Sequence, residues 1–183
     1  SQLRAVAAIE AGHLAREITP VTIAQKKGDP LVVDKDEHPR ETSLEALAKL
    51  KGAVRPDGSV TAGNASGVND GACALLLANE AAAKKNGLTP RARIVGMATA
   101  GVPPRIMGIG PAPATQKVLA LTGLTLAQMD VIELNEAFAS QSLACMQELN
   151  LNPEIVNVNG GSIAIGHPLG CSGARIIVTL INV

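Results

Sequence analysis

Aromatic side chains are almost missing from this 183-residue chain, which has no tryptophan, no tyrosine and a single phenylalanine, Phe138. Without aromatic platforms, sequence-tolerant binding of single-stranded nucleic acid by base stacking is disfavoured. An excess of charge of one sign is missing too. The 16 basic and 16 acidic residues balance to zero, so no general field draws in a phosphate backbone. No run approaches the roughly 18 apolar residues of a membrane span. The opening segment, SQLRAVAAIEAGHLAREI, carries charges throughout and does not read as a secretory leader. The three cysteines, Cys73, Cys145 and Cys171, form no CxxC pair, which argues against a disulfide framework and against a zinc knuckle. Neither GxGxxG nor GxxxxGK[ST] occurs, which disfavours a dinucleotide fold or a P-loop. Together these absences predict a reduced, cytoplasmic protein with no metal site and no nucleic-acid or membrane partner.

What is present is aliphatic. Hydrophobic residues make up 46% and charged residues 17%, a balance that requires a folded chain. Apolar spacing predicts a helix at the start, with Leu3, Val6, Ala7 and Leu14 on one face and a break near Gly12. A hairpin follows, Val21–Ile23 and Leu31–Val33 flanking Gly28-Asp29-Pro30. The charged run 34–41 reads as a solvated loop and Thr42-Ser43 as the cap of a short helix. Ala72–Leu77 and the run 91–102 read as buried strands, Asn79–Asn86 as a helix stopped by Gly87, and Thr115–Leu121 as a helix stopped by Gly123. Then come a strand at Met129–Leu134, a helix at Glu136–Leu149, a strand at Ile155–Val158, a glycine loop and a last helix from about Ala174. The alternation predicts an α/β fold with a loop-borne site at strand ends.

Of the three histidines, His13 and His38 have charged neighbours and read as surface residues. His167 stands between Gly166 and Pro168 in a glycine-rich loop. There an imidazole could exchange a proton with a ligand, or simply bond to nearby backbone. Asn135 either caps the next helix or presents an amide to a ligand carbonyl or water. Glu136 suits a first helical turn. Phe138 is either core or the wall of a ligand tunnel. Cys171, four residues after His167, is an activated thiol or a small packed residue; Cys73 and Cys145 read as core. Ser66 could donate to a ligand or cap a turn. Arg40 could meet a phosphate or be solvated.

Three blocks carry a resemblance: NEAFA (135–139), VNVNGGSIAIGHPLGCSGARI (156–176) and VTAGNASGVNDGA (60–72). Together with KKGDP (26–30) and MGIGP (107–111), they resemble the thiolases, acetyl-CoA acetyltransferases and 3-ketoacyl-CoA thiolases of fatty acid metabolism. The resemblance implies a layered α/β fold and acyl transfer to or from coenzyme A through a cysteine thioester. Coenzyme A would be a substrate and no resident cofactor would be needed. It implies that His167 is the base and an oxyanion donor, and that Asn135 holds a water completing the oxyanion hole. Ser66, Ala62, Ala137 and Phe138 match positions lining the pantetheine tunnel, and Arg40 matches one near the nucleotide end. It places residues 1–68 in the substrate-covering loop domain, 69–87 at the end of the first sheet domain and 88–183 in the second domain. The family's nucleophilic cysteine and its late Cys-x-Gly motif have no counterpart among Cys73, Cys145 and Cys171. The chain is therefore expected to be one part of a thiolase, inactive alone and needing the other half. In full-length form it would be a homo-oligomer. The rival reading is a non-catalytic coenzyme A-binding or assembly module of thiolase ancestry.

Overall fold

A computed structural model describes residues 1–183. Helix α1 spans Gln2–Glu10 and ends near Gly12, whose φ of +76° turns the chain into a 3-10 turn at Leu14–Arg16. Its buried face is Ala5 and Ala8, not the expected Leu3, Val6 and Ala7; Leu3 is exposed. The reason is a close approach: a Cβ on Gly160 would lie 2.7 Å from the Ala5 Cβ, so only small residues fit between α1 and the glycine loop.

Strands β1 (Val21–Ile23) and β2 (Leu31–Val33) form the expected antiparallel hairpin, with Thr22 opposite Val32. Helix α2 (Leu44–Ala48) starts at Ser43, whose hydroxyl accepts from Ala46 N at 3.2 Å. Helix α3 (Glu80–Lys85) is capped by Asn79, which accepts from Ala82 N at 2.8 Å. Glu80 in its first turn and Lys84 and Lys85 in its last complement the helix dipole. Helix α4 (Pro111–Thr122) begins earlier than expected, because Pro111 suits a first helical position, and ends at Gly123 in the left-handed region.

The strands expected at Ala72–Leu77 and 91–102 do not form: both segments lack ladder partners and are largely exposed, with Leu76 79% and Met97 82% accessible. A β-prone run becomes a strand only when another backbone supplies its hydrogen bonds. The 91–102 run instead lies along α4, where Lys117 donates to Thr99 O. The strands expected at Met129–Leu134 and Ile155–Val158 shrink to one parallel bridge, Ile132 to Val156. The Asn157 side chain extends that pairing, accepting from Leu134 N and donating to Leu134 O, each at 2.7 Å.

Helix α5 (Ala139–Glu148) starts three residues later than expected, with Phe138 at its cap position; Asn135 caps no helix. Loop 63–69 explains the shift: Ala139 N donates to Asn64 O and Ser66 N to Ala137 O, holding Phe138 extended at φ -142°, ψ 145°. Helix α6 (Ser162–Ile165) occupies the expected glycine loop, and α7 (Leu169–Asn182) begins five residues ahead of expectation.

The accessible surface is 12839 Å². A self-contained globule of 18.7 kDa would expose about 8,300 Å². The surface is thus roughly half as large again, and 18 of 183 residues are buried.

Candidate functional site

Three segments meet at the carboxyl end of the Ile132–Val156 bridge: loop 63–69, the stretch 135–138, and the turn joining α6 to α7. Loop 63–69 forms one bridge from Ala65 to Phe138 and another from Val68 to His167. Asn69 Oδ1 accepts from His167 N at 3.1 Å. Gly166, at φ +91°, makes the turn that presents the imidazole.

The ring is held at both nitrogens. Ser172 Oγ lies 2.7 Å from Nδ1 and itself donates to Pro168 O at 3.0 Å. A hydroxyl has one hydrogen, so Ser172 accepts from Nδ1–H, and Nε2 keeps its lone pair. Nε2 faces the Asn135 amide nitrogen at 3.4 Å. Desolvation, and secondarily the positive charge of Arg175, push the His167 pKa below its ordinary value, favouring the neutral ring that a base requires.

The structure therefore brings Asn135, Ala137, Phe138, Ser66 and His167 into one neighbourhood. Phe138 is 38% exposed, so it is not core. Ser66 is placed by its backbone donation to Ala137. Arg40 and Ala62 lie beside this group: Arg40 Nη2 donates to Ala62 O at 2.8 Å, and both line a cavity of about 400 Å³ with Thr42, Ala46, Leu47, Leu50 and Gly63. His38, expected to be solvated, is half-buried, and its Nδ1 lies 2.7 Å from Ala164 O, fastening the charged run onto α6.

Glu136 is structural: it accepts from Ile163 N and Asn157 Nδ2, both at 3.2 Å, and lies over Gly161, where any Cβ would collide with its carboxylate. Cys145 is buried and directs its thiol at Gly108 O. Cys171 borders Gly71 in the neighbourhood of Cys73. No group of three or more His, Cys, Asp or Glu is gathered as for a metal ion, and no helix is long and apolar enough to cross a membrane.

Behind the site, both carboxylate oxygens of Glu133 are buried and without hydrogen-bond partners. Burial raises its pKa from 4.5 to about 7, against the opposing charge of Arg175, with Glu17 and Glu136 adding to the rise. The folded state therefore holds this proton more tightly than the unfolded one. The stabilisation is complete below about pH 4.5 and is lost as pH rises through about 7. Glu133→Gln, which stays neutral, is expected to be more stable than the parent at pH 8 by on the order of 2 kcal/mol, and so to unfold at a higher temperature, with the difference closing by pH 5. Thermal unfolding at the two pH values checks this; equal midpoints at pH 8 would show that Glu133 is not destabilised by its site.

Two family models match the chain: the thiolase N-terminal domain over residues 1–81 and the thiolase C-terminal domain over residues 88–183. The chain belongs to the thiolase family. It is 59% identical over its whole length to a beta-ketoadipyl-CoA thiolase of Acinetobacter baylyi, covering 46% of that protein. It is 62% identical to one from Pseudomonas aeruginosa, again covering 46%. An acetyl-CoA acetyltransferase of Pseudomonas aeruginosa is 58% identical, with 47% covered. Among solved thiolase structures, the Bacillus anthracis acetyl-CoA acetyltransferase superposes with a TM-score of 0.95 at 54% identity, over all of this chain and 46% of that one. Human mitochondrial 3-ketoacyl-CoA thiolase does so at 0.89 and 46% identity, over 99% of this chain and 46% of that one. The thiolase α/β fold is thus established, and the chain spans about half the length of the relatives it matches.

Several residues packed around Asn135 and His167 escaped the sequence reading: Asn69, Asn157, Ser162, Ser172 and Arg175. Only Ser172 had a signal that could have found it, a hydroxyl one helical turn from Pro168 at the start of α7.

Proposed function

We propose that a full-length thiolase containing these residues transfers an acyl group between coenzyme A thioesters through a cysteine thioester supplied by the rest of the protein. The observation that carries this reading is the Asn135–His167 pair, with Nδ1 of the ring tied to Ser172 and Nε2 presented beside the amide. Neutral Nε2 takes the proton of an incoming thiol. The resulting Nε2–H is then a donor to the oxygen on which negative charge builds, and the Asn135 amide supports that hole through a water. Ser66, Ala137 and Phe138 border the acyl-CoA path, and Arg40 with Ala62 stands where a coenzyme A thioester would enter.

The substrate class is 3-ketoacyl-CoA. Two of the relatives are named for beta-ketoadipyl-CoA and one for acetyl-CoA. Beta-ketoadipyl-CoA is therefore the first longer substrate to try beside acetoacetyl-CoA. Thiolysis of both by the full-length enzyme tests the reading; cleavage of neither would overturn it.

The remaining half of the thiolase is the partner we infer for the exposed apolar face. Leu76, Leu77, Ile94, Val95 and Met97 all lie on unpaired segments and are exposed, where a complementary sheet would cover them. The isolated chain is expected to self-associate and bind a hydrophobic dye, and to lose both properties on co-expression with the other half. A dye-silent monomer in size-exclusion chromatography would contradict this.

A further inference from the structure

Behind Asn135 sits Ser162, a fully buried hydroxyl on α6 to which neither the sequence patterns nor the family assignment gives a role. Its Oγ donates to Asn135 Oδ1 at 2.6 Å. On its other side, Arg175 Nη2 of α7 donates to the same Oγ at 3.4 Å. We propose that Ser162 is a positioning residue for the thiolase reaction: oriented by Arg175, its hydroxyl locks the Asn135 amide with the NH2 turned towards His167.

The direction of every bond in this chain follows from donor and acceptor inventory. A guanidinium only donates, so Ser162 Oγ must accept from Arg175. Its single hydrogen is then free for Asn135, which must offer its carbonyl oxygen. The amide NH2 is left facing His167 Nε2, 3.4 Å away. The far end agrees independently. Ser172 donates to Pro168 O and accepts from His167 Nδ1–H, leaving Nε2 as the acceptor. The flipped amide fails at both ends. It would set two donors against Ser162 with no acceptor for the hydroxyl hydrogen, and would turn the Asn135 oxygen towards a lone pair. A side-chain amide has two orientations nearly equal in shape, and apart from His167 the Asn135 amide bonds only to Ser162, which therefore chooses between them. The direct partner of the site is thus Asn135, and Ser162 acts through it.

This inference rests on the proposed acyl-transfer reading, and the test separates the two. In the full-length enzyme, acetoacetyl-CoA thiolysis by Ser162→Ala, Asn135→Ala, the double variant and His167→Ala is measured. Ser162→Ala is expected to lower kcat about 5- to 10-fold, the effect of one lost buried hydrogen bond, with KM for the acyl-CoA within about twofold of the parent. In the Asn135→Ala background the same change is expected to have no further effect on kcat, because the group it positions is gone. Should Ser162→Ala not fold, Ser162→Cys, similar in size but a weak donor, is expected to show the same loss. A parental kcat in whichever Ser162 variant folds overturns the inference, and so does an undiminished loss in the Asn135→Ala background. A fall in unfolding temperature with kcat unchanged marks Ser162 as structural only. Parental rates in both Asn135→Ala and His167→Ala would overturn the functional reading itself. Losses in those two beside an active Ser162 variant would remove this inference alone.

Discussion

Replacing His167 by alanine in the full-length enzyme is expected to lower kcat by about 10²- to 10⁴-fold, the usual worth of a positioned proton-transfer group. The size follows from how the ring is held. Its Nδ1 is committed to Ser172 at 2.7 Å, so only Nε2 is available to the reacting thiol, and it is already aimed beside Asn135. No other imidazole can substitute: His38 is bonded to Ala164 O and His13 is on the surface. The pH profile carries the same signature. Because burial, aided by Arg175, depresses the His167 pKa below its ordinary value, the neutral imidazole that the proposed base needs is favoured. The acid limb of kcat/KM should therefore fall below pH 6.5, the unperturbed imidazole value. A variant with near-parental kcat would remove His167 from the mechanism. An acid limb above pH 7 would contradict the depressed pKa.

The isolated 183-residue chain is expected to cleave no acetoacetyl-CoA above the uncatalysed background. The proposed chemistry needs a thiolate within reach of the imidazole, and none of the three cysteines is hydrogen-bonded to His167. Cys145 is buried with its thiol spent on Gly108 O. Desolvation, with smaller contributions from Cys171 and Glu17, pushes the Cys73 pKa up, the opposite of an activated nucleophile. Cys171 stands on α7 against Gly71. The decisive assay uses pure chain at high concentration with and without the complementary half. Turnover by the chain alone at an ordinary thiolase rate would sink the claim, and rate restored only by the other half would support it.

How much of this was legible beforehand depends on how local the cause is. Ser43, Asn79, Gly87 and Gly123 act on residues a turn away, and each stands at the helix boundary its chemistry predicts, whereas Pro111, read as part of a loop, opens α4. The hairpin at 21–33 is equally local, its two strands joined by the seven residues 24–30. The runs 72–77 and 91–102 are the contrast. The first is a continuous apolar run and the second carries the β-branched Ile94, Val95, Thr99 and Val102, patterns that suit a buried strand, yet a ladder needs a second backbone, and composition cannot say whether one is there. The start of α5 shifted for a related reason: Asn64 and Ser66, about seventy residues away in sequence, bond to Ala139 and Ala137 and hold Phe138 extended.

The sequence by itself determined the family, the local caps and turns, and the identity of the groups able to do chemistry, His167 and Asn135 among them, because those depend on residue type and short spacing. Tertiary structure alone decided which nitrogen of His167 is free, which way the Asn135 amide points, and that Ser162, Ser172, Asn69 and Arg175 stand behind them. These are properties of hydrogen bonds with direction, and a direction exists only once distant segments are brought within 3 to 3.5 Å of one another.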